Sequence, residues 1–148
     1  MSTEATIRWT DGSQFIGRPT SGHAFIIDAD RDRNSGVGPM ELLLLGLGGC
    51  TGADVVSILR KMRENVTGVE IQIRGERATT PPTVYTEIHV HYVVTGTDVK
   101  EKSVQDAIHL SESKYCGVAA MLGKTAKMTF DYEIRRAEGN LPAVAKRS

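Results

Sequence analysis

The side chains in this sequence best able to do covalent chemistry are the thiols of Cys50 and Cys116, its only two cysteines. A free thiol can be an inert core residue, a metal ligand or a redox partner, and no Cys-x-x-Cys spacing selects among these. The neighbours favour access. Gly48 and Gly49 precede Cys50 and Gly117 follows Cys116, so a small molecule can approach either sulfur. Asp54 lies one helical turn beyond Cys50. A carboxylate close to a thiol raises the thiol pKa, so Asp54 is a poor activator and reads as a polar residue at the edge of an apolar run. A second constellation is Glu87, His89 and His91, which fall on one face of a strand. Zinc sites take three or four protein ligands, no fourth suggests itself here, and the pattern reads as solvent-facing. His23 and His109 are isolated and take no role.

The element that must carry Cys50 runs from Gly38 to Arg63, GPMELLLLGLGGCTGADVVSILRKMR. Pro39 suits the first position of a helix. Apolar residues fill nearly every position from Met40 to Leu59, with no single stripe at helical period, which predicts a helix buried on all sides. At about 1.5 Å per residue it would be roughly 35 Å long. Gly46, Gly48, Gly49 and Gly52 each cost about 1 kcal/mol of helix propensity against Ala; close approach of another backbone or a ligand would offset that. The charge-free run, Leu42 to Ala53, falls short of the about 20 residues a membrane span needs, so a buried central helix is expected.

Before this helix, strands are expected at Glu4–Trp9, Gln14–Gly17 and Ala24–Ile27, joined by turns at Asp11-Gly12 and Ser21-Gly22. Asp28 to Gly38 reads as a charged, solvated connector whose Arg31 and Arg33 could reach a site. After the helix, Asn65 and Gly68 are stop signals. Val69 to Arg74 and Val84 to Val94 alternate as two strands of a hairpin. Asp98 and Glu101 predict a capping box for a helix with Val104, Ala107 and Ile108 on its apolar stripe. A break near Ser111 to Ser113 precedes a second short helix bearing Tyr115, Val118, Ala119 and Leu122, ending at Gly123. Ala126 to Ile134 alternate as a last strand. The order βββ-α-ββ-αα-β segregates strands from helices and predicts an α+β fold with antiparallel pairing. A sheet on one side would leave half of the long helix bare, and a second copy of the chain is the expected cover.

Composition narrows the function. With 18 basic against 18 acidic residues, no basic face or polybasic run points to nucleic acid or a membrane surface. One Trp, three Phe and four Tyr are too few for a base-stacking surface. MSTEATIRW has no apolar signal region, and a cytoplasmic protein is expected, in which two cysteines do not read as a structural disulfide. Residues 1–137 are expected to form a single domain and 138–148 a loose tail.

Three stretches carry a resemblance: GPMELLLLGLGGCTGADVV around Cys50, HVHYVVTG, and SESKYCGVAAML around Cys116. Together they resemble the OsmC/Ohr family of thiol peroxidases, and within it the YhfA-like branch, over about residues 5–136. The resemblance implies an OsmC-like fold in which the long helix lies against the sheets, in an intertwined homodimer with sites at the subunit interface. It implies Cys50 as the peroxidatic thiol and Cys116 as the resolving thiol. Organic hydroperoxides would be reduced to alcohols through a Cys50 sulfenic acid and a Cys50–Cys116 disulfide, reopened by a dithiol reductant of lipoyl type, with no metal or flavin. Established members carry a Glu directly after the Pro that opens the helix; here Met40 stands there and Glu41 follows, about 100° further round the helix. Glu41 is the expected stand-in. Arg18 is the first candidate to hold the Cys50 thiolate, ahead of Arg8, Arg31 and Arg33. The alternative on the same fold is a small-molecule binding or thiol stress-sensing protein without peroxide turnover.

Overall fold

The computed structural model describes residues 1–137 of the 148; the expected tail, Glu138–Ser148, lies outside them. The strands are β1 (Ala5–Asp11), β2 (Gln14–Pro19), β3 (Phe25–Asp28), β4 (Asn65–Arg77), β5 (Tyr85–Thr97) and β6 (Lys127–Arg136). The helices are α1 (Pro39–Lys61), α2 (Glu101–Leu110) and α3 (Gly117–Leu122), with one wide π turn, Ser111–Tyr115, between the last two. Two compact units result, Met1–Leu45 and one beginning at Gly46, so the boundary falls inside α1.

In the first unit, β1, β2 and β3 form an antiparallel meander in that order. The loop that follows is built rather than merely solvated. Asp28 is fully buried and accepts hydrogen bonds from the Asp30 and Ser35 amides and the Ser35 hydroxyl. Arg33 pairs with Asp11 at 2.6 Å. Arg31 pairs with Glu41 at 2.9 Å and also donates to the Asp28 carbonyl. Glu41 accepts from the Gly38 amide at 2.7 Å, the contact by which a glutamate in the first turn closes a helix N-terminus.

In the second unit, β4, β5 and β6 form a sheet in that order. β4 and β5 are antiparallel, as a hairpin requires. β5 and β6 are parallel, with Ile88 opposite Met128 and Val94 opposite Ile134. The antiparallel expectation thus fails for this pair, because α2, the π turn and α3 form a crossover long enough to bring the chain back in the same direction. Ile88, Val90, Tyr92 and Val94 are buried on one face of β5, as their alternation requires.

In the single chain, α1 buries one stripe, Leu47, Thr51, Val55 and Leu59, each one turn beyond the last. Leu43 and Leu45 are exposed, on the part of the helix for which a second copy is the expected cover. The glycines divide accordingly. A Cβ on Gly52 would stand 2.9 Å from Ile71 Cδ1 and one on Gly48 3.2 Å from Ile73 Cδ1, whereas Gly46 and Gly49 face open space. Close approach is therefore used toward β4 and left free on the opposite flank. The helix ends at Lys61, Arg63 turns the chain in the left-handed region, and Asn65 already opens β4. The capping box expected at Asp98 does not form. Asp98 has φ of +53°, α2 begins only after Lys100, and Glu101 accepts from the Tyr132 hydroxyl instead.

Candidate active site

The second unit brings Cys50 and Cys116 together. Their sulfurs and one carboxylate oxygen of Asp54 all lie within 4.8 Å of one another. A structural zinc site needs four ligands; among the described residues no fourth joins them, and the cluster reads as a dithiol with a carboxylate beside it.

Each member is placed by a different element. Cys50 and Asp54 share a face of α1, one turn apart, and both are partly exposed. Cys116 follows the π turn, which is closed by a hydrogen bond from the Cys116 amide to the Ser111 carbonyl at 2.8 Å; π turns are frequent at functional sites. It then caps α3, its sulfur accepting from the Ala119 amide at 3.3 Å. Cys116 is only 3% exposed. Burial pushes its thiol up to about 11; the Ala119 amide works the other way, and the neighbouring Cys50 adds to the rise. At neutral pH Cys116 is a thiol.

A buried chain of hydroxyls holds the carboxylate. Asp54 Oδ2 accepts from Ser111 Oγ at 2.9 Å. Ser111 Oγ lies 2.8 Å from Thr51 Oγ1, which lies 2.7 Å from the Tyr92 hydroxyl. An ionised carboxylate only accepts, so Ser111 spends its proton on Asp54, accepts from Thr51, and Thr51 accepts from Tyr92. Tyr92 can feed this chain because burial pushes its phenol up to about 12. Thr51, Ser111 and Tyr92 are all fully buried.

The other expected residues lie in the first unit. Glu41 is engaged by Gly38 and Arg31, and Arg33 by Asp11. Arg8 and Arg18 share a face of the meander, where Thr6 pairs with Arg18 and Arg8 with Ile16. With Thr6, Ile16 and Ala24 they line a cavity of about 330 Å³, and among the described residues neither arginine has a side-chain partner. Glu87, His89 and His91 do not gather around a point. His89 and His91 lie along β6: both rings meet Asp131 Oδ1, at 2.9 and 2.6 Å, and the far nitrogen of His91 meets Glu133 at 3.1 Å.

These features can now be set beside known proteins. The profile of the family described as OsmC-like protein matches residues 32–131, which spans both cysteines. Protein YhfA of Escherichia coli (strain K12) is 40% identical over 131 residues, covering 88% of this chain and 97% of its own. The chain belongs to the OsmC-like family. The crystal structure of a hypothetical protein from Aquifex aeolicus VF5 is 31% identical with a TM-score of 0.84, covering 93% of this chain and 99% of that one. The organic hydroperoxide resistance protein OhrB of Bacillus subtilis shares the fold at a TM-score of 0.62 and 16% identity, covering 90% of this chain and 98% of that one. By length and composition α1 could cross a membrane, but in this OsmC-like chain it is the helix that carries Cys50 to Cys116.

Asp54, Thr51, Ser111 and Tyr92 are the site residues that sequence reasoning left out. Asp54 carries a signal in the sequence, its spacing of one turn from Cys50. The three hydroxyls come from separate elements and carry no local pattern.

Proposed function

We propose that this OsmC-like protein is a cysteine-dependent reductase of organic hydroperoxides, active in oxidative-stress defence. One observation carries the reading: a partly exposed thiol stands beside a buried one in the same chain. The partly exposed Cys50, as its thiolate, attacks the distal oxygen of ROOH. The O–O bond breaks, the alkoxide takes a proton and leaves as alcohol, and Cys50 becomes a sulfenic acid. Cys116, protected from bulk oxidant by burial, then closes a disulfide with it and water departs. A small dithiol of lipoyl type reopens the disulfide. Arg18, which among the described residues has no side-chain partner, is the candidate to hold the Cys50 thiolate and the departing alkoxide. The working form is a cytoplasmic homodimer with its sites at the subunit interface, the second copy covering the bare flank of α1.

Mass spectrometry tests the cycle. Free thiols are counted before and after one equivalent of cumene hydroperoxide, and again after dihydrolipoamide. Two thiols should be lost and both regained. A second reading, ligand binding or stress sensing without turnover, is favoured by the engagement of Glu41 with Gly38 and Arg31 while Met40 occupies the place of the family glutamate. Its signature is stoichiometric oxidation that dihydrolipoamide does not reverse.

A further inference from the structure

We propose that Asp54 is the general base for disulfide closure, taking the proton from Cys116 as its sulfur attacks Cys50. This rests on the reading of Cys50 and Cys116 as a resolving pair. Cys116 cannot attack as a thiol, and its burial keeps it one. Something beside it must accept the proton. The Asp54 carboxylate is the acceptor within 4.8 Å of both sulfurs, a gap that one water or a small side-chain rotation spans. In the closing step the Cys116 S–H bond breaks and its proton passes to Asp54. The sulfur lone pair forms the S–S bond while the Cys50 S–O bond breaks. The departing oxygen takes the proton from Asp54 and leaves as water. The oxidant has already been spent in forming the sulfenic acid, and nothing else is consumed.

The surroundings suit this role. Ser111 pins Oδ2, which fixes the carboxylate while its other oxygen stays available. The hydroxyl chain behind it ends at Tyr92, whose phenol stays protonated to about 12, so the chain orients Asp54 without drawing the proton away. The titratable groups around the site are Cys50 on α1, Cys116 and Glu112 beside the crossover, and Tyr92 on β5. Glu112 is the competing base; burial raises its pKa, offset in part by His109.

A carboxylate beside a thiol has two effects of opposite sign, and the experiment separates them. As a fixed charge it hinders thiolate formation, so Asp54→Asn would speed closure. As a base it assists, so Asp54→Asn slows closure. Reaction with 5,5′-dithiobis(2-nitrobenzoate) reads this without peroxide: Cys50 attacks and releases one thionitrobenzoate, then Cys116 closes the disulfide and releases a second. The second phase of Asp54→Asn should be about 100-fold slower at pH 7, the lower end of what acid–base catalysis contributes, and should climb steadily toward high pH while the wild type levels off. The first phase should not slow, since the same change removes a negative charge from beside Cys50. Asparagine still accepts from Ser111, so the fold is kept; Ser111→Ala should give a smaller loss and Glu112→Gln none. An unchanged or faster second phase in Asp54→Asn overturns the inference and leaves the cysteine pair intact, as would a loss in Glu112→Gln equal to that in Asp54→Asn. Absence of a first phase, or of any second phase in the wild type, overturns the pair reading and the inference with it.

Discussion

Cys50 and Cys116 lie close together but not in one environment, and the proposed cycle takes its order of reaction from that difference. Cys116→Ser should keep the first oxidation and lose recycling: by mass spectrometry the Cys50 sulfenic acid persists or over-oxidises. A variant that still turns over at the wild-type rate would remove Cys116 from the mechanism. His91 gives a second prediction, about stability. Its two nitrogens face Asp131 and Glu133, and because carboxylates only accept, this setting favours the protonated ring. Burial works against that charge, but the hydrogen bonds to Asp131 and Glu133 outweigh it and raise the His91 pKa. A raised imidazole contributes fully below its unfolded value of about 6.5 and loses the contribution as pH rises through its higher folded value. Wild type should therefore exceed His91→Gln by about 1 kcal/mol at pH 5.5 and by less at pH 8.5 in urea titrations, a modest figure because the pair is partly solvated. A gap that widens with pH would contradict the charged ring. At this scale the sequence was half legible. The stretches around the cysteines identified the pair through resemblance, where spacing alone left three readings open. The spacing of Asp54 one turn beyond Cys50 was legible; that Ser111 and Cys116 would meet it from the crossover was not.

Among the elements, α1, β5 and the π turn meet through Thr51, whose hydroxyl joins Tyr92 to Ser111. Thr51→Val keeps the shape and removes the link, leaving a buried phenol without its partner. It should cost about 2 kcal/mol in equilibrium unfolding. Thr51→Ser should restore most of this, and adding Tyr92→Phe to Thr51→Val should recover part of it, since the orphaned group goes too. No change in Thr51→Val would mean the contact is not made in solution. The strands were legible because alternation shows which residues share a face; Ile88 to Val94 follow it. Direction was not, since alternation reads the same either way along β6. The capping box at Asp98 misled because Glu101 had a competing partner, Tyr132, far along the chain. The helix after the break was expected, but that a π turn would present Ser111 to Asp54 was not, for nothing in SESKY encodes a wide turn.

For the whole molecule, the exposed apolar residues include Leu43 and Leu45 on α1 and Ile7 and Trp9 on the meander. Covering roughly 500 Å² of such surface would contribute about 12 kcal/mol before association costs. Analytical ultracentrifugation at micromolar concentration should show a dimer; a folded monomer there would contradict the assembly. The parallel pairing of β5 with β6 also sets a timetable. Cys50 leaves the ribosome early, but Cys116 sits on the crossover between those two strands, and it is anchored only when β6 has been made and has reached back across α2 and α3 to its neighbour. Pairings of that kind form late because a large loop must close first. Until that closure Cys50 has no resolving partner in the proposed cycle, and the dithiol comes into being only as the crossover folds.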